Sequence, residues 1–154
     1  MVINLKINLF SKQYDERQRF DRYKISFETM LLTFALISVN GIIKVFYGPW
    51  GAPITEMSLL VSLPFTYFLI RSILKGAYFP IREKSFPWIV LFFAVIGIIY
   101  LFISIFYIAA GGVILENGVL SKNLYGFILA IKSLSIPAAY LIKKEIDKSE
   151  EEDK

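Results

Sequence analysis

The 154-residue chain contains no cysteine and no histidine. Their absence removes thiolate nucleophiles, disulfides, imidazole bases and the commonest ligands of zinc, haem and iron–sulfur clusters. No Gly-rich phosphate loop, paired-carboxylate arrangement, metal spacing or nucleic-acid module is legible either. The chain is therefore expected to lack enzymatic activity and cofactors, and to make no direct contact with nucleic acid. Charge is also scarce. Asp, Glu, Lys and Arg make up 19% of the residues, against roughly 25% in soluble domains, and they are missing over long stretches.

Those stretches are apolar. Hydrophobic residues make up 56% of the chain and its mean hydropathy is +0.57. From Ser85 to Leu115, 31 consecutive residues carry no charge, more than the roughly 20 that cross about 30 Å of hydrocarbon as a helix. Thr29 to Ile43 and Met57 to Ile70 are uncharged too, and Leu124 to Ile142 is interrupted only by Lys132. With flanking charges snorkelling to the interfaces, four spans are expected at about 25–46, 54–74, 87–110 and 123–142. No alternating ten-residue barrel strands occur, so these spans should be helices. The expected fold is all-α, an integral membrane bundle of four transmembrane helices forming one domain over 1–154.

The basic residues orient it. Segment 1–24 carries six Lys or Arg, the connector 71–84 four, and the tail 143–154 four; 47–55 carries none and 116–122 one. All basic segments then fall on one side, which places both termini in the cytoplasm of a multi-pass cell-membrane protein, N-in and C-in. Anionic lipids on that side are expected partners. The start, MVINLKINLF, does not read as a cleavable signal, so the first span should itself target the chain. Its alternation of Ile3, Leu5, Ile7 and Leu9 suits a short strand, a partner-binding edge or, the favoured reading, a segment in the headgroups. Asn117-Gly118 signals either a small hairpin or, as preferred, a simple helix exit and return. The tail is expected to continue the last helix briefly and then fray.

The stretch YDERQRFDRYKISFE is dense in charge. Asp15 can cap the backbone at Gln18 while Gln18 reaches back, an Asp form of the capping box. From there Arg17, Asp21, Lys24 and Glu28 recur on one helix face with alternating sign, and Phe20, Tyr23, Phe27, Leu31 and Phe34 form an apolar stripe beside them. Asp15, Glu16, Arg17, Gln18 and Asp21 are the candidate docking residues for a protein partner. Glu28, one turn inside the inner interface, is expected to be neutralised by Lys24. Lys44 and Glu56, at the outer ends of adjoining spans, either pair or snorkel apart. Lys132 lies mid-span, where a charged lysine costs about 2.5–3.5 kcal/mol on insertion scales. Its expected partners are Ser133, Ser135, Ser38, Asn40, Ser62, Tyr67, Tyr100, a lipid phosphate or a neighbouring subunit's acid. Lys132, Glu28, Asn40, Lys44 and Glu56 are thus the intramembrane polar candidates. Pro64 and Pro137 suit either packing or a kink that lines a cavity.

With four spans and Asp15, Glu16, Arg17 and Gln18 ahead of the first, the chain resembles small bacterial membrane proteins of uncharacterised families that carry a juxtamembrane Asp-Glu-Arg-Gln motif. The resemblance implies a four-helix inner-membrane protein with a sensing or sequestering role, and it brings no catalytic residues. Three functions fit. The leading one is a small accessory or regulatory protein that presents its juxtamembrane helix to a protein partner. The others are a transporter or channel-like homo-oligomer using Lys132, and an immunity or resistance protein against membrane-active peptides.

Overall fold

A computed structural model describes residues 15–78 and 86–152. The expected headgroup segment at 1–10 lies outside these residues, as do Arg82 and Lys84 of the connector. The chain is mostly helical, in the order α1 (Glu16–Tyr47), α2 (Pro53–Leu74), α3 (Phe86–Ala109), β1 (Leu115–Glu116), β2 (Val119–Leu120) and α4 (Leu124–Glu152). All four helices are long and apolar enough to cross a membrane. At 1.5 Å per residue, α1 is about 48 Å long and α4 about 43 Å, both well beyond the roughly 30 Å of a hydrocarbon core.

Local sequence sets the ends. Asp15 accepts from the Glu16 N–H at 2.7 Å, and the reciprocal capping box with Gln18 is complete. Gly48, in the left-handed region at φ 81°, ends α1, and Pro53 opens α2 where its missing N–H costs nothing. Gly76, at φ 65°, turns the chain out of α2. Both α2 and α4 run on through Pro64 and Pro137. The expected fraying of the tail is corrected. Residues 143–152 remain helical, laced by Lys143–Asp147 and Lys148–Glu152 pairs at i,i+4, a spacing that supports an exposed helix.

The helices pack in the order α1, α2, α4, α3. Glu28 meets Tyr67 and Lys44 meets Glu56, so α1 and α2 are antiparallel. Leu69, Ile73, Ile136 and Ala139 form the buried core where α2 and α4 run parallel, with Phe93 of α3 packed against it. Small residues bring α3 and α4 close: a Cβ on Gly97 would lie 2.7 Å from Cγ of Leu134, and one on Gly126 would lie 2.4 Å from Oγ of Ser104. Such backbone approach is the usual device where helices cannot rely on water-driven burial.

Helix α1 is inside out by the standard of a water-soluble protein. Its Gln18, Glu28, Asn40 and Lys44 bond to α2 or to the turns that flank it, whereas the stripe Phe20, Tyr23, Phe27, Leu31 and Phe34 is more than half exposed throughout. The only residue it buries is Ile25.

The preferred reading of Asn117-Gly118 as a simple helix exit and return is corrected, since a small hairpin forms between α3 and α4. Asn117 (φ 52°) and Gly118 (φ 81°) both take the left-handed region, as a two-residue type I′ turn requires, and Leu115 pairs with Leu120. Two-residue strands would not hold alone. A third segment supports them: Leu120 N–H donates to Trp50 O at 3.0 Å and Ala52 N–H donates to Leu120 O at 2.7 Å.

Gly97→Ala should destabilise the folded state by about 1–3 kcal/mol through overpacking against Leu134. Gly41→Ala, whose Cβ would meet nothing within 4 Å, should be neutral or gain up to about 1 kcal/mol of helix propensity. Unfolding of both variants in detergent, followed by circular dichroism, checks the contrast.

Candidate functional site

Polar groups collect at two levels of the α1–α2 pair and at the charged end where α1 begins and α4 ends. At the hairpin end, Glu56 is 2% exposed and its carboxylate is fully engaged. Lys44 pairs with it, and the N–H groups of Trp50 and Gly51 each donate to Oε1 at 3.2 Å. Gly51 packs closely there: a Cβ would lie 3.3 Å from Cγ of Glu56 and 3.4 Å from Cβ of Leu120. Asn40 accepts from the Trp50 indole N–H at 2.7 Å, and the fully buried Thr55 donates from Oγ1 to Ser121 O at 2.9 Å. The sequence left pairing of Lys44 with Glu56 open; the structure joins them in one network with Asn40, Trp50 and the hairpin.

Nearer the charged end, Tyr67 donates its hydroxyl to Oε2 of Glu28 at 2.7 Å, and Arg71, one turn further along α2, lies 3.8 Å from the same oxygen. The expected neutralisation by Lys24 is therefore corrected: the counter-charge comes from the neighbouring helix. Among the described residues, none of the expected side-chain partners Ser133, Ser135, Ser38, Asn40, Ser62, Tyr67 and Tyr100 bonds to the Lys132 ammonium. The ammonium sits 4.4 Å from the ring centroid of Phe65 on α2, a cation–π contact worth about 2 kcal/mol when desolvated. The hydroxyl of Ser135 turns instead to the Lys132 carbonyl, at 2.7 Å.

At the charged end, the five docking candidates divide by role. Asp15 and Gln18 hold the helix start, and Gln18 also donates from Nε2 to Gly76 O at 2.8 Å, tying α1 to the turn that ends α2. Glu16 lies 3.8 Å from Arg19 and is almost wholly exposed. Arg17 and Asp21 make no ion pair among the described residues, so the predicted Arg17–Asp21–Lys24–Glu28 ladder does not neutralise itself. They line a cleft of about 460 Å³ between the start of α1, the end of α2 and the extension of α4. Leu74 and Ile146 give it apolar walls, while Lys75 and Glu150 add charges of opposite sign. Among the described residues, no group of three or more acids, histidines or cysteines is placed to hold a metal ion. The cleft sets charges of both signs around apolar side chains.

Loss of Lys44 should be costly, because Glu56 would stay buried with two backbone donors and no counter-charge. Lys44→Met is expected to destabilise by about 3–5 kcal/mol. Glu56→Gln keeps hydrogen-bonding capacity and frees a half-exposed lysine to snorkel, so it should cost less, and the double variant should cost less than the sum of the two. Thermal or denaturant unfolding in detergent measures all three.

No curated protein and no solved structure matches this chain. A family model described as a family of unknown function (DUF6773) matches residues 11–142. That range takes in the capping box, all of α1 to α3, the hairpin and the apolar part of α4, so the chain belongs to this family.

Proposed function

We propose that this is an integral membrane protein with both termini in the cytoplasm, and that it works as a small accessory or regulatory subunit by docking a protein partner on its charged end. The outward stripe of α1 supports insertion, since an aqueous monomer rarely exposes a contiguous apolar patch beyond a few hundred Å². The excess of Lys and Arg at the ends of α2 and α4 and the start of α1 supports the orientation.

The docking reading is carried by the cleft itself. Two helices run past their apolar segments at the same end and, with the turn after α2, frame Arg17, Asp21, Lys75 and Glu150 around Leu74 and Ile146. A partner segment with charges of both signs and one or two apolar side chains complements it. Lys132, the residue on which a transport reading rests, has its charge on the Phe65 ring, which favours a packing role within the bundle.

Because the chain has no cysteine, single introduced ones report without background. An impermeant maleimide should label Glu116→Cys in intact cells and Ser149→Cys only after lysis; the reverse pattern overturns the orientation. A photo-crosslinking residue at Asp21 should yield one discrete protein adduct in native membranes, abolished by Arg17→Glu with Lys75→Glu. The same residue at Phe34 should yield lipid adducts. An Asp21 adduct indifferent to charge reversal, or none, would sink the docking reading.

A further inference from the structure

A second cleft opens beside the first at the charged end, about 500 Å³ in volume, between the end of α2 and one face of the α4 extension. Its lining is ordered along α4. Ile73 of α2 and Tyr140 form the deepest, apolar level; Lys143 and Lys144 come next, then Asp147 and Lys148, then Glu151. Each step of three or four residues is about 5 Å along the helix axis. Ile142 is the last residue of the apolar run, so the lysines stand where hydrocarbon gives way to headgroups if the bundle lies in a membrane as proposed above.

Not all of these charges are available. Lys143 is committed to Asp147. Lys148 lies 3.7 Å from Glu152 with both side chains about two-thirds exposed, and such a pair is worth little. Lys144 and Glu151 make no ion pair among the described residues. The available set is therefore two ammonium groups one helical turn apart and, beyond them, one carboxylate that can accept hydrogen bonds. Across the whole lining, three lysines stand against two acids, one positive charge in excess.

We infer that this cleft binds one anionic phospholipid with a hydroxylated headgroup, of the phosphatidylglycerol class. Lys144 and Lys148 hold the phosphodiester, Glu151 accepts from a headgroup hydroxyl, and the glyceride end lies toward Tyr140 and Ile73. The single negative charge of the lipid matches the excess on the lining. Phosphatidylcholine has the phosphate but no net charge and no headgroup donor. Soluble glycerophosphate has the phosphate and hydroxyls but nothing for the apolar level. The inference rests on membrane insertion and not on the protein partner.

The test uses the full chain in detergent with equimolar phosphatidylglycerol and phosphatidylcholine, the bound lipid being read by native mass spectrometry. One phosphatidylglycerol should be retained in preference to phosphatidylcholine, and excess soluble glycerophosphate should not displace it. Lys144→Gln with Lys148→Gln should weaken retention about 20- to 30-fold, at roughly fivefold per lysine. Lys122→Gln, at the hairpin end, should leave it unchanged. Equal retention of the two lipids, or a double variant that binds as the parent does, overturns the site. Failure of membrane insertion is read separately, from whether the protein enters phosphatidylcholine nanodiscs. A chain that inserts yet shows no preference defeats the lipid site alone, and circular dichroism of the double variant separates lost binding from lost folding.

Discussion

The carboxylate of Glu56 is the point on which the arrangement turns. An acid this buried is tolerated only if its charge and lone pairs are met, and the groups that meet it come from three residues: Lys44 at the end of α1, and the backbone of Trp50 and Gly51 in the connecting loop. Meeting it fixes the loop, and the fixed loop presents Trp50 and Ala52 to Leu120 as a third strand for a hairpin too short to stand alone. One ionised side chain thus sets the register of α1 on α2 and also ties the first helical hairpin to the second.

The rest of α1 follows the same logic of internal satisfaction. Where water is excluded, polar side chains must find one another or fold back on their own helix. Thr29 and Thr33 donate to carbonyls one turn earlier, while Glu28 and Asn40 reach across to Tyr67 and Trp50. The aromatic and aliphatic residues are left to the outside. The helix meets its neighbour through these polar contacts, and its apolar side faces outward.

Much of this was legible in the sequence because it depends on features a single helix carries: the length of the apolar runs and the Asp15–Gln18 cap. What escaped was tertiary. The alternating charges of α1 read as a self-satisfying ladder only if α1 is considered alone. Accepting the Lys44–Glu56 pair would have corrected this, since sixteen residues back from Lys44 is Glu28 and sixteen on from Glu56 is Ser72, next to Arg71. The Phe65 ring under Lys132 gave no signal, being one of 14 phenylalanines. The continued helix at 143–152 was visible in the i,i+4 spacing of Lys143 with Asp147 and Lys148 with Glu152, though acidic composition there suggested a frayed end. The hairpin was misjudged because its stability lies in Trp50 and Ala52, some 70 residues earlier in the chain.

The stitched loop and hairpin also make α1 a lever. From Lys44 to Gln18 is about 39 Å along the helix axis, so a rotation of about 5° around the anchored end carries Gln18 through about 3 Å. That displacement is as large as the 2.8 Å bond from Gln18 to Gly76. The cleft is therefore built at the far tip of the arm, where a tilt of α1 produces the largest change in its width, and its resting position is set by the bond from Gln18 to Gly76 together with the contacts of Glu28 to Tyr67 and Arg71.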